Sequence, residues 1–192
     1  GQNSNNSVRV DDAFLRAVLA DHDLGCWAIS NHLAGQLVCD NIDDRHYAFA
    51  PTAVKGNPKA AKKWAIDMQK KAAKAAKNLG VGVVNGFTGS PIWHLLYSFP
   101  PCAPGQIANG YKECAKTWKP ILDVYADNGI KFALEVHPTE IAFDIASHSA
   151  PSRRWTAIRR SASITIRHTS AIRALITSSS SACSMIASSM CT

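Results

Sequence analysis

The strongest constraint on this chain is a repeated alternation of long helical patterns and short apolar runs. The spacing predicts an amphipathic helix over about 59–79, a strand VGVVNG at 81–86, a second long helix over about 105–127 and a strand IKFALEVHP at 130–138. A shorter pair precedes them. A helix runs from Asp11 to about Asp21, capped by Asp11 or Asp12 and striped by Phe14, Val18 and Leu19, and LGCWAISNH at 24–32 follows as a strand. Residues 33–58 read as loop, with Pro51, Gly56 and Pro58 as breakers. Helix, strand, helix, strand, helix, strand demands parallel pairing with right-handed crossovers, which is an α/β fold.

The helical patterns assign their own buried sides. Trp64, Met68, Ala72, Ala75, Ala76 and Leu79 line one side of the first long helix, lysines lie around the rest, and Gly80 is its stop. On the second, Ile107, Tyr111, Cys114, Trp118, Leu122 and Tyr125 mark the core side; Pro120 predicts a kink, and Asn128–Gly129 predict the end. In the strand at 24–32, alternation places Trp27, Ile29 and Asn31 towards outer helices and Cys26, Ala28, Ser30 and His32 towards a crowded interior.

Alternation also selects the candidate site. Phe132, Leu134 and Val136 would pack under helices, while Ala133, Glu135 and His137 share the other face. Glu135 thereby projects inwards near the C-terminal ends of parallel strands, where barrels of this kind keep their active sites. A carboxylate there is costly to bury without a metal, a proton or a basic partner. His32 ends the preceding strand, Asn85 ends the middle one, and His94 lies in the loop after it, so each is a candidate to reach the same mouth. Trp93, Tyr97 and Phe99 are available to wall a sugar-sized pocket.

Charge separates the chain into two parts. The net charge is +7, but residues 1–146 hold 15 Lys+Arg and all 14 acids, whereas 147–192 hold six Arg and no acid. The basic character that would suggest nucleic acid therefore belongs to the last 46 residues, which contain 13 Ser and no Gly, Val, Phe, Tyr or acid. Cys26, Cys39, Cys102, Cys114, Cys183 and Cys191 form no C-x-x-C pair, and read as thiols of a reducing compartment. No apolar run approaches the roughly 18 residues of a membrane span, and the expectation is a cytoplasmic protein.

Three stretches, AISNHLAGQLVCD (28–40), VVNGFTGSPIWHLLYSFPP (83–101) and KPILDVYADNGIKFALEVHPTEIAFDI (119–145), resemble the sugar phosphate isomerase/epimerase family of xylose isomerase-like TIM barrels. The resemblance covers about residues 10–146. It implies a partial (β/α)8 barrel, about strands 3 to 5 with their helices, with two strands preceding Gly1; a complete barrel needs about 250 residues. It implies metal-dependent isomerisation or epimerisation of a sugar or polyol through an enediolate, with Mn, Mg, Co or Zn as the ion. Glu135 matches the fifth-strand metal ligand and proton-transfer residue. Glu140 and His137 lie in the same motif, Glu140 as a catalytic acid; His137 joins His32, Asn85 and His94, chosen by their positions after the strands, as the candidate substrate-binding residues. The family's further ligands, among them an Asp in a D-P-S-H-like motif on the sixth strand, are not found, so tight metal binding and turnover by this chain are not expected. A polyol dehydratase and an endonuclease-like hydrolase belong to the same superfamily.

Residues 147–192 are expected to be aberrant, through a slip of the reading frame near 146–148. Permitted codons for SASITIRHTSAIRALITSSSSACSMIAS (161–188), with every boundary moved one nucleotide upstream, yield FGFNYDPSHFGYQGVDYVKFIRMFDDRI. That string resembles the absent sixth strand with its D-P-S-H motif. The rival reading takes Arg153, Arg154, Arg159, Arg160, Arg167 and Arg173 as a nucleic-acid-binding arm on a non-catalytic fragment, with steep salt dependence.

Overall fold

The computed structural model describes residues 12–95, 97–144 and 147, together with the backbone of 165–167. Helix α1 is Asp12–Asp21, strand β1 Ile29–Ser30, helix α2 His32–Cys39, helix α3 Pro58–Leu79, strand β2 Val83–Gly86, helix α4 Gln106–Asp127, strand β3 Lys131–Glu135 and strand β4 Thr165–Arg167. The strands form one sheet in the order β1-β2-β3-β4, and every pairing is parallel. The register sets Ile29 beside Val84, Asn85 beside Ala133, and Glu135 beside Arg167. This is the α/β arrangement of part of a TIM barrel, and β4 lies in the span where the sequence offered no continuing helix–strand rhythm.

The long helices form for the reasons their sequences give. In α3, the Asn57 side chain accepts from the Ala60 N–H at 3.0 Å, Pro58 occupies the first turn, and Gly80 closes the helix with φ 71°. Its buried side differs from the sequence reading by one step. Ala61, Ala65, Gln69, Ala73 and Ala76 are buried; Trp64, Met68, Ala72 and Leu79 are half-buried, and Ala75 is exposed. Close packing favours the side whose side chains are smallest, so the alanine row faces inwards and the bulky residues seal its flank. Helix α4 runs on through Pro120 and buries Cys114, Trp118, Leu122 and Tyr125 as expected, with Ile107 and Tyr111 half-buried. Trp118 and Tyr125 then cover Phe132 of β3, with ring centroids 4.9 and 5.6 Å away.

The N-terminal third departs most from expectation. Strand pairing is limited to Ile29 and Ser30, and Trp27 is 82% exposed rather than packed under helices. The backbone turns into α2 at Asn31, so His32 begins a helix instead of ending a strand. Residues 33–58 are not a plain loop: α2 buries Ala34 to Cys39, and short 3-10 turns follow at Asp44–Phe49 and Thr52–Val54. Two turns of helix are too short to leave a clear periodicity in the sequence. The expected stripe of α1 also stays open: Phe14 is 63% exposed, and the helix has no buried residue.

Candidate active site at the strand ends

The site begins with the placement of α2. Tyr125 donates its hydroxyl to Gln69 Oε1 at 3.0 Å, and Gln69 Nε2 donates to the Asn31 carbonyl at 2.9 Å. Both side chains are buried, so α4 and α3 together fix the residue that starts α2. Burial pushes the Tyr125 hydroxyl far above its ordinary pKa, which keeps it a donor. Gly35 completes the seat: a Cβ there would lie 2.1 Å from the Phe87 carbonyl at the end of β2.

His32 is thereby carried to Glu135. Its Nε2 lies 2.8 Å from Glu135 Oε2, and its Nδ1 contacts Ser30 Oγ. The side chains of His32 and Glu135 retain 19% and 29% exposure, so the pair is enclosed yet reachable. Phe87 packs its ring edge-on to His32 at 4.6 Å and tilted to His137 at 5.0 Å. The inward face predicted for Glu135 is the observed one: Phe132, Leu134 and Val136 are buried on the helix side, and Glu135 turns away to His32.

The other sequence candidates are placed differently. His137 and His94 line a cavity of about 740 Å³ with Leu33, Phe49 and Trp93. Its walls come from the segments after β1, β2 and β3, which is the C-terminal mouth. His137 Nδ1 lies 2.6 Å from the Pro138 carbonyl, and His94 Nδ1 3.3 Å from Asn41 Nδ2. Asn85 is half-buried, and its carbonyl accepts the Asn31 N–H at 2.9 Å. Tyr97 and Phe99 do not wall this cavity and are more than 90% exposed.

Glu140 lies away from His32 and Glu135, wholly buried. Its Oε2 accepts from the Thr88 N–H at 2.7 Å, the Thr88 hydroxyl at 3.0 Å and the Gly89 N–H at 2.8 Å, while Oε1 has no partner among the described residues. Burial pushes its pKa up to about 7 against these bonds, and the nearby Asp40 adds to the rise. Glu140, expected as a second acid, is placed with its carboxylate on the Thr88–Gly89 backbone that follows Phe87.

A cluster that sequence reasoning missed braces the same rim. Asp40 Oδ1 accepts the Ser90 N–H at 2.6 Å, and Oδ2 accepts from Gln36 Nε2 at 2.7 Å and meets His46 Nε2 at 2.9 Å. His46 Nδ1 faces Asp43, whose carboxylate is held well below its ordinary range by the Arg45 guanidinium and the Arg45 N–H. The spacing Asp43-x-x-His46 is a capping box, a local signal present in the stretch read as loop.

No group of three or more His, Cys, Asp or Glu stands ready to hold a metal among the described residues. Glu135 contributes one carboxylate, of which one oxygen is already bonded to His32. The described residues therefore do not fit a complete divalent-metal site. None of the described helices is long and apolar enough to cross a membrane.

The family model for xylose isomerase-like TIM barrels matches residues 6–158. The chain belongs to that family. Among solved structures of similar fold, a 3-keto-D-glucoside 4-epimerase from E. coli superposes with a TM-score of 0.55 at 12% identity, over 82% of this chain and 52% of its own. An L-ribulose 3-epimerase superposes with a TM-score of 0.52 at 18% identity, over 85% of this chain and 46% of its own. The chain thus spans about half the length of these two epimerases. No curated protein matches it in sequence.

Proposed function

We infer that the chain carries the substrate-binding half of a sugar or polyol isomerase/epimerase, and that Glu135 is its proton-transfer residue. The observation that carries this is the 2.8 Å contact of an inward carboxylate with His32; Phe87 packs against His32 and lines the neighbouring cavity of about 740 Å³, whose lining includes neither Glu135 nor His32. His32 holds Oε2 and leaves Oε1 to take the proton from the hydroxyl-bearing carbon next to a substrate carbonyl; an aldose–ketose exchange balances when that proton returns to the former carbonyl carbon and the hydroxyl proton passes to the former carbonyl oxygen. Trp93 and Phe49 offer apolar faces to the C–H side of a sugar, and His94 and His137 offer ring nitrogens to its hydroxyls. A divalent ion of the Mn, Mg, Co or Zn class would polarise the carbonyl and hydroxyl in a complete site. Among the described residues no group of three or more His, Cys, Asp or Glu gathers around Glu135 to hold it, and for that reason binding without turnover is expected of this chain.

Titration of the full chain with unphosphorylated pentoses, hexoses and polyols in D2O, followed by NMR, tests both halves. Saturation transfer to at least one of them is expected, weakened by Trp93→Ala, with no deuterium entering the substrate. Failure of every compound to bind would refute the sugar reading, and deuterium incorporation abolished by Glu135→Gln would refute the inactivity.

A further inference from the structure

One residue of the cavity wall holds a backbone conformation ill suited to its type. The Glu140 N–H donates to the His137 carbonyl at 3.1 Å, so His137-Pro138-Thr139-Glu140 closes as a turn. Pro138 stands second in it and Thr139 third, with φ 78°, which is the pattern of a type II turn. The third position of such a turn calls for Gly or Asn, and a β-branched side chain is the least suited to it. Among the described residues, Asp23 is the other non-glycine with a positive φ.

The neighbours hold the turn closed against that strain. Glu140 is buried and bonded to the Thr88 and Gly89 backbone, and the His137 N–H donates to the Ala142 carbonyl at 3.3 Å. Thr139 is thus fixed from both ends. It is itself exposed and lines the cavity beside His137. Its hydroxyl has no hydrogen-bond partner among the described residues. The strained conformation therefore serves no side-chain bond of the described fold, while it sets a hydroxyl-bearing residue on the cavity wall.

His137 gives the turn a chemical direction. Its Nδ1 lies 2.6 Å from the Pro138 carbonyl, which can only accept, so Nδ1 carries the hydrogen of the neutral ring. Nε2 is left as an acceptor. It can take the hydrogen of a hydroxyl, and it has nothing to offer a carbonyl or carboxylate oxygen.

We propose that Thr139 is a substrate-binding residue, and that the His137–Glu140 turn is a subsite in which the Thr139 hydroxyl and His137 Nε2 hold hydroxyls of a sugar or polyol. This rests on the sugar reading of the cavity, and adds to it that hydroxyls are preferred to carbonyl or carboxylate oxygens at Nε2. Thr139 stands where Gly would fold more readily, because Gly brings no hydroxyl.

Two measurements on the full chain test it. In urea unfolding, Thr139→Gly relieves the strain and should raise the folding equilibrium constant about threefold or more. In NMR titrations, D-xylose, D-fructose, xylitol and myo-inositol serve as probes. For a probe that binds the unaltered chain, Thr139→Gly and Thr139→Ala should weaken binding about fivefold, and Thr139→Ser, which keeps the hydroxyl, should restore most of it. His137→Phe keeps a ring against Phe87, removes the acceptor and should weaken binding by a similar factor. A Thr139→Gly chain that is more stable and binds less well is the expected result. Unchanged affinity in Thr139→Gly and Thr139→Ala overturns the subsite and leaves the sugar reading standing. An equal loss in Thr139→Ser overturns the role of the hydroxyl, and no gain in stability in Thr139→Gly overturns the strain. Binding of none of the probes to the unaltered chain overturns the sugar reading and the subsite together.

Discussion

Glu140 shows how burial and backbone donors define what a carboxylate holds. A carboxylate five positions after Glu135 reads as a second acid, yet its burial and three donors make it an anchor. Its raised pKa fixes the sign of a pH effect. Between its unfolded value near 4.5 and its folded value of about 7, the folded state holds the proton more tightly. The contribution is therefore full at low pH and is lost as pH rises towards 7, by about 3 kcal/mol in all. Urea unfolding of the full chain from pH 5 to 8 should show that decline. Glu140→Gln keeps an acceptor for the Thr88–Gly89 backbone and does not titrate, so its stability should be flatter across the same window. An equally steep profile in Glu140→Gln would assign the pH dependence to another group.

At the level of elements, the seat of α2 depends on one buried amide. Gln69 links Tyr125 of α4 to the Asn31 carbonyl, and Asn31 starts the helix that carries His32. Gln69→Leu fits the volume and leaves both partners unpaired, a cost of about 2–4 kcal/mol. Tyr125→Phe removes one donor from the same chain and should cost about 1 kcal/mol. Denaturant midpoints of the two variants test the ranking, and equal losses would mean that the network is not continuous. The same element explains what the sequence made legible. Helices α3 and α4 span 22 residues each, long enough for their periodicity to stand out, and the inward turn of Glu135 followed from simple alternation along β3. Helix α2 has eight residues, and β1 pairs over two. Their form is set by Gln69 and by the close approach at Gly35, contacts between segments far apart in the chain. Gln69 is a polar residue held in the core, where it satisfies the Asn31 carbonyl.

At the scale of the whole molecule, the mouth is a set of segments tied to one another by carboxylates rather than by apolar packing alone. Asp40, after β1, holds the backbone of Ser90 after β2; Glu140, after β3, holds Thr88 and Gly89 in the same turn. Each βα segment that lines the cavity is thus cross-braced to the next, and Phe87 lies at the centre, against both His32 and His137. Gly89 is what lets the segments meet: a Cβ there would stand 2.3 Å from the Gln36 carbonyl. Such a rim is expected to open as a unit. Asp40→Ala withdraws the acceptor of Ser90, Gln36 and His46 together, at a cost of about 2–4 kcal/mol for the stranded donors. Hydrogen exchange should then accelerate at least tenfold at the amides of Thr88, Gly89 and Ser90 and in the 43–49 turn. The β2–β3 pairing should keep its protection, because its core of Val84, Phe132 and Leu134 is untouched. Acceleration confined to Ser90 would show that the segments move separately, and that the cavity wall is three hinges in place of one rim.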